Sequence, residues 1–531
     1  MSSSRPHSTP VWQSNSRARF TLVCLLAGAM CLVAPRATGQ ISHLQAATTF
    51  LEQGDTARAE SEARLALHNA ETKPLALAML GTIRLQQSRY PESLEFLNQA
   101  LALNPRLAGA RTTLGDAYIF TGKPALARKC FQEVLRTDPG NLNARYDLFK
   151  LEAAERNFKQ SLEAAHPILP QLVTSDEGIS ILASDYSALG RSQDLAALVP
   201  RWRDLQAPAL EFALDFGSLL LANGMKAEAA EVFDGAERQL PAHPVSSVEL
   251  RLGNAFFSAG RLDQAEQHTQ RALRTAPDCL ACDMTLAAIA ERQDNTEKAL
   301  SYLVDARKLA PNDPEVLFQF GRVCLMRDLL DDAFSALTKA NELKPDNDSY
   351  LYTLASANIG KRNLTKALEI FQQLLRKHPN DPGLTYAIGA VYFLLADYPN
   401  AEASLKQSLA AQPNQVSAPY YLGLTFNAVG DTDQAISVLR DVVEKHPDHA
   451  PSLVKLGGLL AKAQRLDEAR QDLERALALD PDSVEAHYQL GLLLRRMGRR
   501  EEGDAQLAES KRLGEAQRAQ KDIRLRLLLP D

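Results

Sequence analysis

The sequence predicts an all-α fold, an α-solenoid of about fourteen helical hairpins, because three kinds of residue recur along it at a fixed spacing. Gly or Ala occupies thirteen of fourteen positions that lie 34 residues apart, with a single step of 36. Twelve residues after each position an alanine recurs, and a proline follows twelve residues later, each in ten of the fourteen segments. The small-residue column is Ala47, Gly81, Gly115, Phe149, Ala183, Gly217, Gly253, Ala287, Gly321, Ala355, Gly389, Gly423, Gly457 and Gly491.

The segment at residues 348–381 shows why each repeat should contain two helices. Leu351 and Leu354 have the spacing of one face of a first helix, and Ile370 lies on the inner face of a second. Pro379 then ends the second helix, since proline cannot continue a helix. The small residue and the alanine let the two helices approach closely, and a large side chain there would cost about 1–3 kcal/mol.

One segment near the C-terminus carries all the recurring positions at once. These positions hold Leu456, Gly457, Leu460, Ala469, Leu473, Ala476 and Pro481. Together with the columns above, they resemble the tetratricopeptide repeat (TPR) family over about residues 40–517. The resemblance implies a right-handed superhelix in which the first helices line a concave groove. It also implies a non-catalytic protein that binds a protein or peptide partner in this groove.

Two repeats, within residues 142–209, depart from the pattern. Phe149 replaces the small residue in the fourth repeat, and Ser161 and Leu195 replace the alanine of the fourth and fifth. Two helix pairs are still expected here, with altered packing. The recurring proline is absent from both repeats, and prolines occur instead at Pro167, Pro170, Pro200 and Pro208.

Residues 1–39 have the three regions of a secretory signal peptide. They contain four arginines and no acidic residue, an apolar run at Phe20–Val33, and the small-residue end Ala37-Thr38-Gly39. This pattern predicts cleavage after Gly39 and export to a periplasm or the extracellular space, with no membrane span left after cleavage. The alternative is an uncleaved N-terminal anchor, although the run is shorter than the roughly 20 residues of a comfortable span.

The segment at residues 518–531 follows the last repeat. Ala519, Ile523 and Leu527 share one helical face with Ala516. This periodicity predicts a C-terminal capping helix that covers the final hairpin, because solenoids need a polar outer cap at each end.

Composition and motifs argue against several functional classes. The formal net charge is −6, so the chain lacks the basic surface that nucleic-acid binding requires. No phosphate-binding loop or catalytic signature is present, which predicts no enzymatic activity and no cofactor. His446 and His449 have the spacing of metal ligands, but no third ligand lies near them in the sequence, so no metal site is predicted.

Cys279 and Cys282 form a Cys-x-x-Cys motif at a junction between repeats. Asp283 follows, where a haem-attachment motif would need histidine. Three interpretations remain open: a local disulfide in an oxidising compartment, a redox dithiol, or two small half-buried residues without chemical function.

An aromatic ladder is the strongest candidate for partner binding. Its members stand three residues before the small residue of their repeats, a position that faces the groove in the TPR family. The alternative is a structural role in the repeat itself. The ladder is Phe318, Tyr352, Tyr386, Tyr420 and Tyr488, and neighbouring groove positions add Arg322, Ser356, Phe393 and Asn427.

The sequence therefore predicts a scaffold that binds a protein or peptide in the cell envelope. An alternative is an accessory subunit of a polysaccharide-export or glycosyltransferase system. Both interpretations rest on the likeness to other exported TPR proteins, since a fold does not determine a function.

Overall fold

The computed structural model describes residues 38–205 and 208–527, with side chains for 42–205 and 208–517. Within these residues the chain divides into two compact units, one ending at Pro277 and one beginning at Asp278. Apart from its last two residues, the expected signal peptide lies outside the described residues, so its presence and cleavage stay predictions.

The first unit is entirely helical in the residues described. Its α-helices are α1 (Thr38–Glu52), α2 (Thr56–Leu65), α3 (Lys73–Gln86), α4 (Tyr90–Leu103), α5 (Ala108–Phe120), α6 (Pro124–Thr137), α7 (Leu142–Ala154), α8 (Phe158–Ala165), α9 (Leu169–Leu172), α10 (Asp176–Ala188), α11 (Ser192–Ala196), α12 (Leu198–Arg203), α13 (Leu210–Ala222), α14 (Lys226–Arg238), α15 (Ser246–Ala259) and α16 (Leu262–Thr275). Two 3₁₀ turns follow α2 and α8, at Ala66–His68 and His166–Ile168.

The second unit is helical in the same way. Its α-helices are α17 (Leu280–Arg292), α18 (Thr296–Leu309), α19 (Pro314–Met326), α20 (Leu330–Leu343), α21 (Asp348–Gly360), α22 (Leu364–Lys377), α23 (Pro382–Leu394), α24 (Tyr398–Ala411), α25 (Ser417–Ala428), α26 (Thr432–Lys445), α27 (Ala450–Lys462), α28 (Leu466–Leu479), α29 (Val484–Arg496) and α30 (Arg500–Leu527). In each unit the helices pack in consecutive pairs, and each pair packs on the next, so the predicted all-α solenoid of helical hairpins is confirmed.

All fourteen hairpins turn in the same way. Seven residues after the small-residue column, the backbone adopts a positive φ in every repeat. The following N–H donates to the carbonyl five residues before it, as from Asn363 to Asn358 at 2.8 Å. This is the Schellman ending of a helix. The turn residues are Gly54, Ser88, Gly122, Arg156, Gly190, Gly224, Gly260, Asp294, Asp328, Arg362, Ala396, Gly430, Gln464 and Gly498.

The recurring alanine lies at the centre of each hairpin. All ten alanines of this column have no exposed surface, and Ser93, Ser161 and Leu195 are equally buried where they replace it. The small residue faces it across the hairpin. A Cβ atom added at Gly457 would lie 2.7 Å from Cγ of Leu473 and 3.2 Å from the carbonyl oxygen of Ala469. The column therefore allows close packing of the two helices, as the sequence predicts.

The fourth and fifth repeats keep intact first helices, α7 and α10, but their second helices are broken. In the fourth repeat a 3₁₀ turn separates α8 from α9, and Pro167 and Pro170 are the second residues of these two short segments. Proline fits there because its missing N–H would have no helical partner. Phe149 is completely buried in this hairpin.

The last helix, α30, runs without interruption from Arg500 to Leu527. It therefore contains both the second helix of the last repeat and most of the expected cap at 518–531. Side chains beyond residue 517 lie outside the description, so their capping contacts stay a prediction. Of the helices that the structure describes, none combines the length and the hydropathy needed to cross a membrane.

Candidate partner-binding surface

All nine residues predicted to bind a partner lie on the first helices of hairpins in the second unit. The helices concerned are α19, α21, α23, α25 and α29. Because the hairpins repeat, the ladder residues occupy equivalent positions on the first helices α19, α21, α23, α25 and α29, and Val454 fills the same position on α27. We call the five ladder residues, with Phe393 and Tyr421, the aromatic surface.

The two most exposed rings of this surface are those of Tyr352 and Tyr488, with exposed fractions of 40% and 49%. The Tyr352 ring packs edge-on against Phe371 at a centroid distance of 5.2 Å. Tyr488 is followed one helical turn later by Leu492, which is 43% exposed. Tyr488 and Leu492 thus place an exposed aromatic and an exposed aliphatic side chain on one face of α29.

Tyr421 joins the middle of the ladder into one cluster. Its ring packs edge-on against Tyr386, Phe393 and Tyr420, at centroid distances of 5.9, 5.7 and 5.6 Å. These four rings also pack against the buried core of the unit, so the middle of the ladder has the structural role as well. Tyr421 was not among the residues predicted from the sequence, although its position directly after Tyr420 was a signal.

His449 extends this cluster on one side. Its ring lies edge-on to Tyr420 at 5.5 Å, and its Nδ1 lies 2.7 Å from the Ser452 hydroxyl. Burial and the neighbouring His446 lower the pKa of His449. Within the described residues, no group of three or more His, Cys, Asp and Glu side chains could hold a metal ion. His449 therefore contributes a ring contact with Tyr420 and a hydrogen bond with Ser452.

The hydroxyls of Tyr352, Tyr386 and Tyr420 are neutral at physiological pH, because the pKa of each is raised. Burial, with the nearby Glu485 carboxylate, raises the pKa of Tyr420 to about 12. Burial and Tyr421 raise the pKa of Tyr386, and burial with Asp381 raises that of Tyr352. Each hydroxyl can therefore donate a hydrogen bond to a backbone carbonyl of a ligand.

The remaining predicted positions are less available. Phe318 stacks on Tyr350 at a centroid distance of 4.5 Å. Arg322 forms an ion pair with Glu291 at 2.5 Å and donates to Gln319. The Ser356 hydroxyl donates to the carbonyl of Tyr352 at 3.2 Å. Asn427 is half-buried at the end of α25. The aromatic residues therefore define the surface more than the polar ones do.

The structure joins Cys279 and Cys282 by a disulfide. Cys279 is the N-cap of α17, and its Sγ accepts a hydrogen bond from the backbone N–H of Cys282 at 3.1 Å. The two remaining cysteines of the described residues, Cys130 and Cys324, are free and buried.

Sequence models of the tetratricopeptide repeat match much of the chain, including residues 44–141, 250–314, 331–382 and 426–498. The chain is a tetratricopeptide repeat protein. These ranges include neither residues 142–249, which contain the two irregular repeats, nor residues 383–425, where the repeat pattern is regular. They include both Tyr352 and Tyr488.

Two relatives align with parts of the chain. Protein O-mannosyl-transferase TMTC1 of Homo sapiens is 32% identical over 155 residues, which are 28% of this chain and 17% of that protein. Protein CTR9 homolog of Arabidopsis thaliana is 23% identical over 291 residues, 52% of this chain and 26% of the relative. The chain thus spans less than a third of either relative.

A solved structure of similar extent is that of yeast Tom70. It is 15% identical, and the alignment covers 89% of this chain and 96% of Tom70 with a TM-score of 0.38.

Proposed function

We propose that this TPR protein is a non-catalytic scaffold that binds an extended protein or peptide segment along its aromatic surface in the cell envelope. The observation that carries the proposal is the succession of aromatic rings on the four consecutive first helices α19, α21, α23 and α25 and again on α29, with Tyr352 and Tyr488 left exposed.

The chemistry of the surface favours an extended segment with apolar side chains. Rings fixed by edge-to-face contacts lose little conformational entropy when a ligand covers them. Neutral tyrosine hydroxyls offer hydrogen bonds to backbone carbonyls, while the ring faces bury apolar side chains. The even spacing of the helices suits a chain that places successive side chains against successive repeats.

Tyr352→Ala and Tyr488→Ala are each expected to weaken partner binding by about 2 kcal/mol, about thirty-fold. The thermal midpoint should change less than the affinity, because these two rings are the most exposed of the ladder. The partner is first captured from an envelope extract with the wild-type chain, and affinities are then measured by calorimetry.

Leu479→Ala is the matched control for this experiment. The exposed fraction of Leu479, 46%, is similar to that of Tyr488. Leu479 lies at the end of α28, the second helix of its hairpin, and is outside the aromatic surface. The control should bind like the wild type. Equal affinities for all three variants would show that the partner binds elsewhere.

The location in the envelope rests on the N-terminal sequence pattern. Expression of the full chain in a bacterial host should yield a periplasmic protein that begins at Gln40. N-terminal sequencing of the fractionated protein measures this directly. Recovery of a chain that still begins at Met1, whether in the cytosol or attached to the membrane, would contradict cleavage.

A second candidate is an accessory subunit of a glycosyltransferase or polysaccharide-export system. The observation that favours it is the 155-residue alignment with an O-mannosyl-transferase. The same capture experiment separates the candidates, since an accessory subunit should retrieve a membrane glycosyltransferase or an export protein. Capture of a partner from neither class would leave the general scaffold as the better proposal.

A further inference from the structure

We propose that Cys279 and Cys282 form a thiol–disulfide exchange site whose substrate is a cysteine-containing protein segment. This site is separate from the aromatic surface and does not depend on a partner being bound there.

The two sulfurs differ in accessibility. Cys282 has no exposed surface, whereas Cys279 is half-buried. In the chain, Cys279 lies between the exposed Asp278 and the half-buried Leu280, and Ala281 beyond Leu280 is exposed. An incoming thiolate can therefore reach Sγ of Cys279, while Sγ of Cys282 is protected. Such asymmetry separates an attacked sulfur from a leaving sulfur.

The position on α17 also favours exchange. The helix has thirteen residues, and Cys279 caps its N-terminus. The backbone N–H of Cys282 donates to Sγ of Cys279 at 3.1 Å. When the disulfide opens, this N–H and the positive end of the helix dipole stabilise negative charge on Cys279. A thiolate at this sulfur is both a better leaving group and a nucleophile present at neutral pH.

The reaction can be written with a substrate that carries two thiols. A substrate thiolate attacks Sγ of Cys279, forming a mixed disulfide and breaking the Cys279–Cys282 bond. The electron pair of that bond goes to Sγ of Cys282, which takes a proton from the second substrate thiol. This second thiolate attacks the substrate sulfur of the mixed disulfide, and Cys279 leaves as a thiolate. The substrate is oxidised to a disulfide by two electrons, and the cysteine pair is reduced.

The other two cysteines provide an internal comparison. Burial raises the pKa of Cys130 to about 11 and that of Cys324 to about 12. Both thiols are buried and should stay protonated and unreactive at neutral pH.

The test uses the full mature chain with reduced and oxidised glutathione, followed by alkylation and mass spectrometry. In Cys282→Ser, Cys279 is expected to form a glutathione adduct about a hundred-fold faster than Cys282 does in Cys279→Ser. Cys130 and Cys324 should remain without adduct in both variants. Circular dichroism checks that each variant is folded. Equal rates for the two variants, or no adduct on Cys279, would overturn the proposal.

A second measurement distinguishes a disulfide that exchanges with substrate thiols from one that only stabilises the fold. The oxidised wild-type chain is mixed with a reduced peptide that contains two cysteines. We expect one equivalent of peptide disulfide for each chain reduced, and none with the Cys279→Ser, Cys282→Ser double variant. If the peptide stays reduced while the wild-type disulfide stays intact, the Cys279–Cys282 bond is a structural disulfide that does not exchange, and the proposal is wrong.

Discussion

Replacing Asp185 with asparagine is expected to stabilise the fourth and fifth repeats by about 2–3 kcal/mol at pH 8, and to change their stability much less at pH 4. Asp185 has no exposed surface, and its Oδ1 has no hydrogen-bond partner within the described residues. Its Oδ2 lies 2.5 Å from the hydroxyl of Ser161. The carboxyl group therefore has a single polar contact in an apolar interior.

Counting protons shows which form of Asp185 fits this site. The Ser161 hydroxyl has one proton, yet it lies within hydrogen-bond distance of both Asp185 and the carbonyl of Phe149, the latter at 3.1 Å. If Asp185 is protonated, it donates to Ser161, which then donates to Phe149, and both bonds form. If it is ionised, Ser161 satisfies only one of the two acceptors. The geometry thus favours the neutral acid.

The pKa of Asp185 agrees with this geometry. Burial raises it from 3.8 to about 6, although the Ser161 hydrogen bond lowers it in part. The folded chain then keeps the proton up to about pH 6, while the unfolded chain loses it near pH 4. The free energy of unfolding should fall as the pH rises from about 4 to 6 and stay at the lower value above 6. Asparagine removes this loss because its amide can donate to Ser161 without carrying a charge.

The measurement is hydrogen exchange of the amides in α7, α8 and α10 at pH 4, 6 and 8, corrected for intrinsic rates. Local exchange is preferred to a global melt because solenoid repeats do not open as one unit. Asp194→Asn is the control, since Asp194 is 43% exposed in the same repeat and pairs with Arg191. If the Asp185→Asn and wild-type profiles run parallel from pH 4 to 8, Asp185 is not the cause.

Much of the fold could be predicted because packing at the hairpin centre tolerates few residue types. The small and alanine columns recur for that reason, and they placed the hairpins correctly. The positions of the turns could not be predicted from residue type. Ser88, Ala396 and Gln464 adopt a positive φ at the same repeat position where other repeats have glycine. At these turns the packing of the two helices of a hairpin imposes the positive φ, so the residue type at the turn does not predict it.

The candidate sites were predicted less completely, for a related reason. Ladder residues follow the repeat, so their positions on the first helices could be predicted. Tyr421 and the pair Ser161 and Asp185 depend on contacts between neighbouring hairpins, which occur once and leave no periodic signal. The Cys-x-x-Cys spacing allowed a disulfide, but spacing alone could not show that Cys282 is buried and Cys279 half-exposed.

The second large effect is expected at two adjacent glycines of α27. Gly457→Leu should lower the free energy of unfolding of its repeats by about 3 kcal/mol or more, whereas Gly458→Leu should raise it by about 0.5–1 kcal/mol. The substitution and the helix are the same in both variants. Only the direction in which the new side chain points differs.

The structure explains the opposite signs. A Cβ at Gly457 would lie 2.7 Å from Cγ of Leu473, which has no exposed surface and cannot move aside in a close-packed core. A Cβ at Gly458 would come no closer than 3.6 Å to Oε1 of Gln489. Leucine occupies this second position naturally in two other repeats, as Leu424 and Leu492. Leucine also favours helix more than glycine does, so the tolerated substitution should be stabilising.

Urea unfolding and hydrogen exchange of α27 and α28 measure both variants against the wild type. If the small residues serve close packing, Gly457→Leu should speed exchange in its own hairpin and in the adjoining ones, while α19–α22 keep wild-type protection. This spread follows because each repeat is stabilised by contacts with its neighbours. Equal destabilisation by both leucines would contradict this explanation. Glycine would then be needed for the backbone conformation of α27, and close packing of α27 against α28 would not explain why small residues recur in the column.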